Sequence, residues 1–206
     1  MAKYHHGNLR NTLIQVATEL LAEEGTHALS LRKMAQRAGV SHNAPYMHFA
    51  DKEAVLAEIA EEGFRLLAIE IESAIATAEN STYERLIAAS NAYIRFALDR
   101  PNHLQVMFRP YEVEKYPNLL LASQAALNCL FELVKSGQEN NTLIAGNTHQ
   151  MTKSIWAMVH GVAVISIAYQ TNMLLPENTS IEDGVASVFV GFLLDGLATK
   201  KSVPEI

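Results

Sequence analysis

Residues 29–56 read LSLRKMAQRAGVSHNAPYMHFADKEAVL, and one glycine, Gly39, divides the stretch into halves of different character. Before it, Leu31, Met34, Ala35 and Ala38 recur at the spacing of one helical face, and Ser30 stands where an N-cap belongs. After it, roughly from His42 to His48, comes a segment too short to hold as a free helix. Met34, Ala38, Val40 and Phe49 flank the glycine and can weld the halves together. The two histidines, Asn43 and Tyr46 cannot all join that packing. The short segment is therefore predicted to face a partner outside the chain.

The rest of the chain carries dense helix signals and almost no strand signals. Leu13, Ile14, Ala17, Leu20 and Leu21 define an amphipathic helix that Gly25 ends. Asp51 caps a long helix with Leu56, Ile59, Phe64, Leu67, Ile71 and Ile75 along one side. It runs to about Ala78 and spans roughly 40 Å. Ser81 to Glu84 is a capping box that opens a helix ending near Arg100-Pro101. A short helix is predicted over 102–109 and an irregular segment between Pro110 and Pro117. An amphipathic helix follows from about Asn118 to Glu139, then a loop over 140–146. A helix from about Thr148 to Thr171 is apolar nearly all round. A second capping box, Ser180 to Asp183, opens a last helix. The predicted fold is all-α: an N-terminal three-helix head with a helix-turn-helix (residues 1–52), joined by the long helix to a helical body (53–206).

The 206 residues are 49% hydrophobic and 18% charged, enough for a sizeable core and too apolar for a disordered chain. No run of about 18 apolar residues without charges appears, so no membrane span is expected. The opening MAKYHHGNLR lacks a signal-peptide core. A single cysteine, Cys129, allows no internal disulfide, fits a reducing cytoplasm and reads as a buried filler. Net charge is −6, but it is unevenly spread. Residues 1–50 carry Lys3, Arg10, Arg32, Lys33 and Arg37 against Glu19, Glu23 and Glu24, a balance of +2; the remainder carries 11 Lys/Arg against 19 Asp/Glu, a balance of −8. That pattern suits a small anion-binding module on an acidic body.

A helix, a sharp Gly turn and a short second helix have the shape of a DNA-reading helix-turn-helix. The candidates for base edges are His42, Asn43, Tyr46 and Met47. Asn pairs bidentately with adenine, His meets donors or acceptors, and Met meets a thymine methyl. Ser30, Tyr46, His48 and Lys52 are the candidates for phosphates. If Ser41 caps the short helix, Pro45 is its fourth residue and lacks the N–H for the first helical bond. Proline also disfavours the helical region for Ala44, so the start of the reader is predicted to be loosened or shifted by one residue.

The same stretch resembles the DNA-binding head of the tetracycline-repressor (TetR) family of bacterial regulators. The resemblance rests on Leu31, Ala35, Ala38, Gly39, Val40, Ser41, Tyr46, His48, Phe49, Lys52 and Leu56, in order and spacing, and covers about residues 9–56. Family members commonly carry Leu or Ile where this chain has Pro45. Trp156, His160 and Gly161 resemble the C-terminal domain of the subgroup named for Trp-His-Gly, and YHHGNLR also occurs in relatives of that type. The resemblance implies an all-helical homodimer whose head binds a palindromic DNA operator and whose body binds a small-molecule effector that releases the DNA.

Candidates for an effector pocket are Phe64, Leu67, Tyr93, Phe96, Met107, Phe108, Phe131, Trp156 and His160. Trp156 and His160, four apart, share one helix face. They read either as pocket residues or as plain core. Val185, Val188, Phe189 and Phe192 on the last helix are candidates for a dimer interface. His5 and His6 have no third ligand spaced to join them, so no metal and no cofactor is expected. No activated nucleophile or phosphate loop suggests an enzyme. The alternative within the same class is a DNA-binding regulator without a small-molecule effector, controlled by a protein partner or constitutive.

Overall fold

The computed structural model describes residues 9–112, 114–169, 191 and 196. Seven α-helices have described bounds: α1 (Leu9–Glu24), α2 (Leu31–Ala38), α3 (Lys52–Thr77), α4 (Thr82–Asp99), α5 (Pro101–Met107), α6 (Pro117–Glu139) and α7 (Thr148–Tyr169). No strand forms among the described residues. The chain divides into two compact units, Met1–Phe64 with Arg100–Ser123, and Arg65–Asp99 with Gln124–Ile206. The last predicted helix, with its capping box at Ser180 and with Val185, Val188, Phe189 and Phe192, lies outside the described residues, as do His5 and His6.

In the first unit the periodic residues of α1 are all buried, and Leu13, Leu20 and Leu21 lose all contact with solvent. The helix α1 packs on α2, and Met34 of α2 and Val55, Leu56 and Ile59 of α3 are as deeply buried. Ser30 caps α2 by accepting from the Lys33 N–H at 3.2 Å. Gly39 ends α2 with φ of 67°, in the left-handed region. Val40 N–H then reaches back to the Ala35 carbonyl at 3.0 Å, the closing bond of a Schellman turn. A Cβ at Gly39 would meet nothing within 4 Å, so the backbone angle alone demands glycine here. Asp51 caps α3 by accepting from the Ala54 N–H at 2.8 Å. Ala38 and Val40, expected at the weld, are only half-buried; Pro45 takes the inner position instead.

Arg10 ties this unit together. Its guanidinium lies 5.3 Å over the Phe49 ring and pairs with Glu58. Burial nevertheless raises the Glu58 carboxyl above its ordinary pKa, and Arg10 only partly offsets this. Asn102 of α5 donates to the Ala22 carbonyl of α1 at 3.1 Å.

In the second unit α4 and α7 pack along each other. Leu86, Tyr93, Phe96 and Ala97 of α4 and Ile155, Val159, Val162 and Ala163 of α7 are buried. Ser81 accepts from the Glu84 N–H at 3.1 Å, as the capping box predicts. Asn147 caps α7 by accepting from the Gln150 N–H at 3.0 Å. Gly137 of α6 is a close-approach position, since a Cβ there would stand 2.7 Å from side-chain atoms of both Leu143 and Thr82. The helix α7 is less uniformly buried than its composition suggests, with Val164 and Ile165 exposed. By length and composition alone, α6 and the Thr148–Ala168 stretch of α7 are long and apolar enough to cross a membrane. Both carry buried residues that pack on protein, as the core helices of a helical domain do.

Candidate DNA-reading and core polar sites

Between Gly39 and Asp51 the backbone is wound on short-range hydrogen bonds. Ala44 N–H bonds to the Ser41 carbonyl at 2.9 Å, Tyr46 N–H to Asn43 at 3.2 Å, Met47 N–H to Ala44 at 3.2 Å and His48 N–H to Pro45 at 3.0 Å. Residues 45–47 are accordingly a 3-10 helix. The cause is Pro45: without an N–H it cannot bond to Ser41, and the Ser41 carbonyl takes the Ala44 N–H instead. The sequence expectation for Ala44 is corrected here. It keeps the right-handed helical conformation, φ −58° and ψ −45°, in spite of the following proline. Burial of the Pro45 ring and the Ala44 bond to Ser41 outweigh the local clash.

This winding places Pro45 and Phe49 inward and His42, Asn43, Tyr46 and Met47 outward. Met47 is 83% exposed and Tyr46 52%, so neither side chain is committed to the core. The His42 and Tyr46 rings stack, with centroids 6.1 Å apart and planes 22° apart. His48 is half-buried, its ring tilted against Phe49 at 6.4 Å. Lys52 is the first residue of α3. Ser30 is exposed and already accepts the α2 capping bond, which leaves its hydroxyl hydrogen to donate.

Several cations of this region are paired internally. Lys33 meets Glu24 at 2.6 Å and Arg37 meets Glu23 at 2.5 Å. The bond from Lys33 holds the Glu24 carboxyl below its ordinary pKa, and Glu23 holds the Arg37 guanidinium above its own. At the start of α3, Lys115 lies 3.7 Å from the second oxygen of Asp51. Arg10, Lys33 and Arg37, counted in the sequence as a basic patch, are thus engaged with acids of the same unit.

Three pocket candidates are brought together in the second unit. The Tyr93 hydroxyl lies 2.7 Å from Nδ1 of His160. The His160 ring stacks on Trp156 at 5.4 Å with planes 15° apart. Burial pushes His160 below the ordinary histidine pKa and pushes the Tyr93 phenol above its own. Leu67 and Phe96 are buried in the same unit. Phe131 is placed differently, its ring 4.6 Å from that of His149. Phe64, Met107 and Phe108 belong to the first unit, where Phe64 and Phe108 meet edge-on at 5.5 Å and Met107 packs over Gly63. Cys129 is half-buried rather than buried, and burial beside Glu72 pushes its thiol up to about 11.

The sequence reading missed Pro45 as a core residue and Arg10 as the clamp on Phe49. A proline one residue before an exposed tyrosine carries no periodicity signal, and a cation–π contact across 39 positions carries none either.

Residues 13–59 match the model of bacterial regulatory proteins of the tetR family. Residues 86–188, half of the chain, match the tetracyclin repressor-like C-terminal domain. The tetracycline repressor protein class A from transposon 1721 of Escherichia coli is 47% identical over 51 residues, 25% of this chain and 24% of that protein. The match thus spans about a quarter of that repressor's length. Among solved structures, a protein with unknown function from Rhodococcus sp. RHA1 is 29% identical with a TM-score of 0.83, over 97% of this chain and 100% of that one. The regulator FadR from Bacillus subtilis, solved in complex with stearoyl-CoA, shares the fold at 18% identity with a TM-score of 0.73, over 91% of this chain and 98% of its own. Matched through both its head and its body, the chain belongs to the TetR family of bacterial DNA-binding transcription regulators.

Proposed function

We propose that this protein is a ligand-responsive repressor, a cytoplasmic homodimer released from a palindromic operator by a small, largely apolar effector. The observation that carries the DNA half is the outward face of His42, Asn43, Tyr46 and Met47 around a buried Pro45. Exposed aromatic, apolar and amide groups with no packing role suit base edges in a major groove. Ser30, Tyr46, His48 and Lys52 flank them and suit phosphates. We assign residues 1–52 to the DNA-binding head and 53–206 to effector binding and dimerisation.

For the effector, support comes from the half-buried Tyr93–His160 bond and its Trp156 neighbour. Ligand sites are mostly apolar with a few placed polar groups, and these three residues are such a set. Trp156, His160 and Gly161 also support placing the body in the Trp-His-Gly subgroup. The effector releases DNA only to the extent that it prefers the conformation whose heads do not fit the operator.

Selection of DNA from a random pool by the purified protein tests the reading. The expected product is a palindrome with half-sites about 34–36 Å apart, or a little more, bound with a steep salt dependence. An unenriched pool, or enrichment of a single half-site, overturns it. Stearoyl-CoA, the molecule held by the FadR neighbour, is the first effector to titrate against the complex.

A further inference from the structure

Resting on the DNA-facing assignment above, we propose that His42 and Tyr46 form one reading unit. The Tyr46 ring sets the plane of the His42 ring, and the pair determines sequence preference at a single operator position. The two rings are near-parallel at 6.1 Å, within the offset-stacked range. Both side chains are exposed, so no core holds either ring. What they have is each other and a fixed backbone. Pro45, buried and locked in φ, precedes Tyr46, and the Tyr46 N–H is tied to the Asn43 carbonyl at 3.2 Å.

An exposed side chain ordinarily gives up rotamer freedom when it meets a partner. A ring already leaning on its neighbour has less to give up and arrives with its orientation set. Orientation is what a histidine needs, because its donor and acceptor lie at fixed points on the ring edge. Guanine N7 and O6, or an adenine edge, accept only an aligned donor. The Tyr46 hydroxyl, at the far end of its own ring, addresses a phosphate. One side chain thus serves twice: its ring positions His42 and its hydroxyl holds the backbone of the DNA.

The experiment compares DNA selected by the full-length wild type, His42→Ala, Tyr46→Ala, Tyr46→Phe and the double His42→Ala/Tyr46→Ala variant at one salt concentration. Matching thermal melts establish that each variant is folded, and Tyr46→Leu replaces Tyr46→Ala if that melt drops. The expected result is that His42→Ala and Tyr46→Ala flatten the preference at the same position, each about tenfold. The double variant is then no flatter than either single one. Tyr46→Phe keeps the preference and binds all DNA more weakly. If the two alanine variants flatten different positions, or their effects multiply in the double, the paired reader is overturned while the DNA-facing assignment stands. If no variant changes DNA binding at all, the assignment itself falls.

Discussion

The Tyr93 hydroxyl and Nδ1 of His160 lie 2.7 Å apart, across the packed helices α4 and α7. Tyr93 is buried, so its hydroxyl depends on that histidine for a partner of the right geometry. His160→Phe keeps an aromatic ring but strands the hydroxyl, and is expected to lower stability by about 1–3 kcal/mol. Tyr93→Phe in the same chain removes the stranded group. The double variant should therefore cost less than the sum of the two single ones. Urea unfolding of the four proteins measures this, and strictly additive losses would mean that the two groups are not coupled.

Both His160 and His103 sit below the ordinary histidine pKa of 6.5, each chiefly because of burial. The unfolded chain then binds protons that the folded one does not. Stability is complete above about pH 6.5 and falls as the pH drops through that value. Glu58 runs the other way: its raised carboxyl favours the folded state at low pH, and that contribution is lost as the pH rises past the ordinary carboxylate range. Urea midpoints from pH 8 to pH 5.5 should therefore decline, and His103→Gln should make the decline shallower. A midpoint unchanged over that range contradicts the assignment.

Gly39→Ala is expected to cost about 1–2 kcal/mol, the penalty of the left-handed region for a residue with a Cβ. Gly39→Asn should cost less, since asparagine tolerates that region better. Space is open around the position, so no steric term confuses the comparison. Equal melting temperatures for the two variants would show that the angle is not the constraint.

Two effects compete at Pro45. Its ring is buried and it restricts the unfolded chain, which favours proline; the helical conformation that Ala44 keeps against the following ring opposes it. Burial and entropy together are the larger, so Pro45→Ala should destabilise by roughly 1 kcal/mol. A stabilised variant in chemical denaturation would mean that the strain at Ala44 dominates.

Lys52→Ala should weaken binding to every DNA sequence alike and reduce the salt slope by about one unit, because phosphate contacts supply affinity without sequence information. Asn43→Ala should leave overall affinity nearer to wild type and relax one or two operator positions, by about 1–3 kcal/mol of discrimination. Binding isotherms at several salt concentrations separate the two behaviours. A change of preferred sequence on losing Lys52 would reverse its assignment.

The head was legible in the sequence because its determinants are local. Ser30, Gly39 and Asp51 act on the three or four residues beside them, and the periodic face of α1 is buried as the spacing predicts. Pro45 showed its missing N–H in the sequence, but the balance between Ala44 strain and ring burial depends on packing. In the body, helix bounds followed from caps and prolines, whereas pairings across helices did not. Nothing in the spacing of Phe131 marks His149 as its neighbour. Gly137 reads as an ordinary interruption of α6, and only the approach of Leu143 and Thr82 shows that a Cβ there displaces a neighbour. The grouping of Tyr93 with His160 spans 67 positions and is a property of the α4–α7 contact.

The pairing of Lys33 with Glu24 and of Arg37 with Glu23 bears on how such a regulator finds its site. Attraction to arbitrary duplex comes from cations that displace the ions condensed around the phosphates. Cations already satisfied by neighbouring carboxylates displace few of them. On the proposed DNA-binding role, a head built this way is expected to slide and hop with a lighter grip than its count of cations suggests. On that reading, occupancy of the proposed operator depends on the ratio of specific to non-specific affinity, and so on the few side chains around Pro45.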